Sequence, residues 1–157
     1  MAKTLALAVL FLPAAALAAP TGYSGQARVT DLSTGAQSME TVYLLRDVDQ
    51  ANSRIVETAC VQERGQPMRK SVVTMQISGD RMTVTGDHLT GTGTLSGPAW
   101  AWTALTFSMD YAGGVHIEDR NYLANATLIA RKEIAVHGKP IQLWEAELVQ
   151  LDTPFTC

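Results

Sequence analysis

The chain has 157 residues, 46% hydrophobic, 17% charged and 6% aromatic, with a formal net charge of -3. That balance lacks the basic excess needed to neutralise a phosphate backbone, so nucleic acid is excluded as the expected partner. Residues 19–157 suit one domain with a real core, and no low-complexity tract interrupts them.

Met1–Ala18 carries a lysine near its start, an apolar run from Leu5 to Leu12, and small residues ending Ala16-Leu17-Ala18. This is the pattern of a secretory signal peptide cleaved after Ala18. Pro13 and the alanines leave the apolar run well short of the ~20 residues that span a bilayer. The expected product is a single all-β domain over residues 19–157, secreted or periplasmic. In such a compartment the two cysteines, Cys60 and Cys157, are expected to pair. No second cysteine or neighbouring histidine completes a metal site at either one.

Thr21–Gly25 reads as an extended lead-in and Gln26–Leu32 as a weak strand, closed by a turn at Ser33-Thr34-Gly35. Met39–Val48 and Arg54–Gln62 flank the polar connector Asp49–Ser53 as a hairpin would. Glu57 shares a face with Ile55, Ala59 and Val61, which gives either a rim position or a carboxylate in contact with a ligand. Arg64–Pro67 is a turn. Gly79-Asp80, with glycine first as a type II′ turn prefers, sets Ile77 opposite Met82 and Met75 opposite Val84. Threonines, serine and Gln76 then take the other face, so turn chemistry and alternation agree.

After Gly86-Asp87-His88, the segment Leu89–Leu95 alternates leucine and glycine with threonine. Gly91 and Gly93 inside a strand mark a sharp bend or a close approach, as a sheet curling on itself requires. Trp100–Tyr111 holds a conflict. Strict alternation puts Trp100 and Trp102 on one face and Leu105, Phe107, Met109 and Tyr111 on the other. A β-bulge near Thr103-Ala104 would bring all six onto the core side and is the favoured reading. Without it the two tryptophans form an external contact surface.

Ala112-Gly113-Gly114 makes a hairpin loop with Tyr111 opposite Val115 and Met109 opposite Ile117. Tyr122–Val136 is read as strand rather than a short helix. A loop at Gly138-Lys139 would pair Val136 with Ile141, Ile134 with Leu143 and Lys132 with Glu145. The last strand, Ile141–Leu151, leads to Cys157. Nine or ten short strands predict an all-β antiparallel meander closing into a small barrel, or failing that a β-sandwich. The architecture is lipocalin-like, or calycin-like, by analogy alone. The Gly-x-Trp that lipocalins carry near the start of the barrel is absent, so no family is assigned.

Catalytic motifs are missing: there is no G-x-S-x-G elbow, no phosphate-binding loop and no zinc spacing. His88, His116 and His137 lie beside turns or early in strands, and only His116 and Glu118 share a face at a chelating spacing. Two ligands do not make a metal site. Among the acids, Glu57, Asp110, Glu118, Asp119, Glu145 and Glu147, none is singled out for acid–base work. Asn125-Ala126-Thr127 matches the N-glycosylation triplet.

The expectation is a non-enzymatic barrel whose interior or mouth binds a small apolar or amphipathic ligand through Trp100, Trp102, Phe107, Met109 and Tyr111. No cofactor and no metal are expected. The alternatives are a structural or protein-interaction domain with a filled core, and an isomerase or hydrolase using a cavity carboxylate or histidine. Membrane insertion as an outer-membrane barrel is not expected, because several segments fall short of about ten residues and their polar face is rich in threonine.

Overall fold

The computed structural model describes residues 20–97, 102–153, 155 and 157; the expected signal segment and Trp100 lie outside the described residues. Ten strands follow one another: β1 (Thr21–Asp31), β2 (Gln37–Asp49), β3 (Arg54–Glu63), β4 (Arg69–Ser78), β5 (Arg81–Gly86), β6 (Leu89–Ser96), β7 (Ala104–Tyr111), β8 (Val115–Ala124), β9 (Thr127–Val136) and β10 (Lys139–Gln150). Each pairs antiparallel with the next, and β10 returns to β1, so the sheet closes as a meander barrel with no free edge. Closure decides between the two expected architectures, and the sandwich falls.

Alternation builds the interior. Val42, Leu44, Met75, Ile77, Met82, Val84, Leu105, Phe107, Leu128 and Leu148 are buried, while their chain neighbours face out. Burying one such side chain is worth about 1.5–3 kcal/mol. The Gly79-Asp80 hairpin has the expected register, Ile77 opposite Met82 and Met75 opposite Val84, with positive φ (+65°) at Gly79. The β7–β8 hairpin likewise pairs Tyr111 with Val115 and Met109 with Ile117.

The glycines of β6 fulfil the close approach expected of them. A Cβ on Gly93 would lie 2.5 Å from the Thr106 carbonyl oxygen and 2.9 Å from Phe107 Cδ1. One on Gly91 would lie 2.5 Å from the Ser108 carbonyl oxygen. Phe107 and Met109 stand opposite these glycines in register and fill the space the missing side chains leave.

Two local expectations need correction. The segment read as one strand over Tyr122–Val136 is broken by a two-residue turn at Asn125-Ala126, both with positive φ (49° and 62°), the signature of a type I′ turn. The next turn is His137-Gly138, φ 49° and 77°, one residue earlier than expected. An irregularity between Pro140 and Gln142 then shifts the register, so Ile134 faces Gln142 and Lys132 faces Trp144 instead of Glu145. The extra residue expected at Thr103-Ala104 is present: the β6–β7 ladder is regular from Leu89–Tyr111 to Ser96–Ala104, and Thr103 N–H also donates to the Ser96 carbonyl at 2.9 Å, so two residues oppose one. Trp102 therefore turns inward on the same side as Leu105, with two residues instead of one between them and Thr103 facing out. Trp102 is 9% exposed and belongs to the core.

The Cys60–Cys157 disulfide forms as expected, Cα–Cα 6.5 Å, on the outside of the barrel. It ties the C-terminal tail to β3, with the Phe155 ring stacked 4.2 Å from that of Tyr43. The bond is compatible with an oxidising, extracellular location.

Candidate functional site

Four strands set a charged residue among apolar ones on the inward face: Val42-x-Leu44-x-Arg46-x-Val48 on β2, Ile55-x-Glu57-x-Ala59 on β3, Val115-x-Ile117-x-Asp119 on β8, and Leu128-x-Ala130-x-Lys132-x-Ile134 on β9. The ladder sets these as opposite-charge neighbours, Arg46 across from Glu57 and Asp119 across from Lys132. Arg46 Nε donates to Glu57 Oε2 at 2.7 Å, and Lys132 Nζ lies 3.2 Å from Asp119 Oδ2. Asn121 Nδ2 donates to the second Asp119 oxygen at 2.8 Å. Glu40 completes the set, accepting from Trp144 Nε1 at 2.9 Å on one oxygen and from Arg69 on the other.

The electrostatics follow from this crowding. Burial pushes the Asp119 carboxyl above its ordinary value, against the opposing pull of Lys132. For Lys132 burial works the other way, but the Asp119 and Glu57 carboxylates outweigh it, and the side chain stays an ammonium. The Lys132 ammonium also lies 5.0 Å from the Trp144 ring centroid, and the Arg46 guanidinium carbon 4.6 Å from that of Trp102. Among the described residues Arg46 Nη1 and Nη2 meet no acceptor, although the residue is only 3% exposed.

Three cavities meet around this cluster. The largest, about 440 Å³, opens at the barrel end that carries the β1–β2, β3–β4 and β9–β10 turns; Val29, Val61, Ile134 and Trp144 form its apolar wall. Glu40, Glu63, Arg69 and Lys132 supply its charge. Two small voids of about 50 and 30 Å³ lie deeper, and Lys132 is the one cation lining all three. A ten-stranded barrel is wider than the eight-stranded kind that side chains just fill, and this supplies the room.

The expected ligand-binding set maps differently. Phe107 and Met109 are buried and, with half-buried Tyr111, border the 50 Å³ void. Trp102 packs at the other end of the barrel, over Arg46. The mouth instead uses Trp144, Lys132, Glu40 and Arg69, which the sequence reading passed over. Their signal was the charged residue on an apolar face, and it was read only for Glu57.

The remaining candidates face outward. Asp110, His116 and Glu118 cluster on β7–β8, with His116 Nδ1 2.7 Å from Asp110 Oδ1 and Nε2 2.9 Å from Glu118 Oε1. Among the described residues no set of three or more His, Cys, Asp or Glu is arranged to hold a metal ion. Glu145 pairs with Arg28 at 2.8 Å, Glu147 is exposed, and His88 and His137 sit in turns. An outer groove of about 720 Å³ crosses β4–β8, lined by hydroxyls of Thr83, Thr92, Thr94 and Thr106, and offers no buried group in need of a partner. No protein-family model matches the sequence, and no curated protein is significantly similar to it.

Proposed function

We infer that the chain is a secreted or periplasmic binding barrel that holds a small amphipathic ligand in the mouth above Lys132. The observation that carries this is the cavity of about 440 Å³, within the roughly 300–1,000 Å³ usual for small-molecule sites. It combines one apolar wall, an aromatic ring and a few convergent charges, which is how such sites orient a ligand. A domain used only for its outer surface would have no need of that opening, or of the buried Arg46–Glu57 pair and the half-buried Lys132–Asp119 pair, which add little net stability.

The test is titration with the neutral fluorescent probe N-phenyl-1-naphthylamine. Enhancement on the native protein, and its loss in Ile134→Asp, which places a charge on the apolar wall, is the expected result. No enhancement, or enhancement indifferent to Ile134→Asp, would overturn the reading.

Asp119 favours a second, enzymatic reading, because a buried carboxyl with raised proton affinity is suited to general acid work. It ranks second because the void Asp119 lines is about 50 Å³, too small for an organic substrate. Chemical change of a co-purified ligand over time, seen by mass spectrometry and lost in Asp119→Asn, would move the assignment from carriage to catalysis.

A further inference from the structure

We propose that the ligand is an amphipathic acid, which enters the mouth head first and sets its anionic group against the Lys132 ammonium. This rests on the binding reading above and adds the chemistry of the head group and its direction of entry.

The argument is one of unmatched donors. Both oxygens of Glu40 are taken, by Trp144 Nε1 and Arg69, and both of Asp119, by Asn121 and Lys132. The cations are less well used. An ammonium has three N–H donors, and among the described residues Asp119 is the one carboxylate within ion-pair distance of Lys132. Arg46, deeper in the barrel, leaves both Nη atoms without an acceptor; against these stands one undonated carboxylate oxygen, Glu57 Oε1. A barrel interior short of acceptors is stabilised by a ligand that brings them.

Access singles out Lys132. Its side chain is 29% exposed, and it stands on the floor of the mouth cavity where the two inner voids begin. Arg46 lines none of these cavities and acts on the head group only through its field. Above Lys132 the wall is Val29, Val61 and Ile134, which suits an alkyl or aryl tail. The charged side chains turned into the mouth are Arg69 and Lys132 against Glu40 and Glu63, and Arg69 is already held by Glu40, which leaves Lys132 as the cation that meets a head group at the floor. A cationic head group set against Lys132 would be opposed. A neutral alcohol would accept a weaker hydrogen bond than a carboxylate, since charge-assisted bonds are about twice as strong.

The experiment is displacement of N-phenyl-1-naphthylamine from the native protein by octanoate, octanol and octylammonium at neutral pH. Octanoate is expected to displace at a concentration at least about tenfold below octanol, with octylammonium weakest. In the paired variant Lys132→Met with Asp119→Leu, which strands no buried charge, the octanoate preference should vanish while octanol is unchanged. Equal displacement by octanoate and octanol, or a preference that survives in a folded paired variant, would overturn the proposal. The native selectivity series decides the matter without any variant. Failure of the probe to bind at all would instead defeat the underlying binding reading.

Discussion

Arg46 is a costly side chain for the barrel to enclose. Its guanidinium is removed from water, keeps one charged hydrogen bond to Glu57, lies over Trp102, and leaves two nitrogens without acceptors among the described residues. Removing one partner of such a pair costs about 3–5 kcal/mol, whereas replacing both by apolar residues is close to neutral. Arg46→Met alone should therefore lower stability by about that much in urea unfolding, and Arg46→Met with Glu57→Leu should recover most of it. Additive losses in the double variant would contradict the account. His116 poses the opposite case, a partly exposed group with two carboxylate neighbours. The hydrogen bond to Asp110, then that to Glu118, raises its pKa above the ordinary 6.5. A raised folded-state value means that its contribution to stability is complete below about 6.5 and is lost as pH rises through the higher folded value. An NMR titration should give a His116 midpoint above 6.5, moved down by Asp110→Asn; a midpoint at or below 6.5 would refute the pairing.

At the scale of elements, β6 shows how absent side chains shape the barrel. Because the atom facing a Cβ on Gly93 is the Thr106 carbonyl oxygen at 2.5 Å, neighbouring side chains cannot relieve the clash by changing rotamer. Gly93→Ala should cost about 1–3 kcal/mol, the range for overpacking, while Thr92→Ala on the outward face should change little. Comparable unfolding midpoints for the two would show that the approach is not tight. This bend was legible in the sequence, as were the β4–β5 and β7–β8 registers, because a glycine-bearing turn and strict alternation fixed the same partners. The β9–β10 register was not. Val136, Ile134, Ile141 and Leu143 match equally well as apolar pairs in a false register, and the one local sign of the extra residue at Ile141 was Pro140, which has no N–H to give the ladder. That slip put Lys132 opposite Glu145 in the reading and concealed its place beside Trp144, so the candidate site was missed along with the register. Reading β10 from Trp144 through Ala146 to Leu148, with Glu145 and Glu147 alternating outward, would have placed the tryptophan inside. The inward turn of Trp102 was legible as well, because one extra residue at Thr103-Ala104 was needed to bring it to the side of Leu105 and Phe107.

For the whole molecule the decisive contact is the seam where β10 meets β1, pairing Tyr23 with Gln150 and Asp31 with Gln142 across nearly the full length of the chain. A seam of such sequence separation gains its stability only after much loop entropy has been lost. The Cys60–Cys157 bond offsets part of that cost. With a sequence separation of 97, it removes freedom from the unfolded chain worth at most about 4.7 kcal/mol by the chain-entropy argument. In the folded state it holds Phe155 on Tyr43 and brings the Cys157 carbonyl within 3.4 Å of Lys70 Nζ, both outside the barrel wall. The ladder does not depend on these tail contacts, since all ten strand pairs lie between Thr21 and Gln150. Cys157→Ser should thus keep the native far-ultraviolet circular dichroism at 25 °C while moving the urea midpoint down by an amount equivalent to roughly 2–4 kcal/mol. Loss of the β signal in the variant under native conditions would mean that the seam cannot close unaided. An unmoved midpoint would mean that the unfolded chain is already compact enough for the bond to remove nothing.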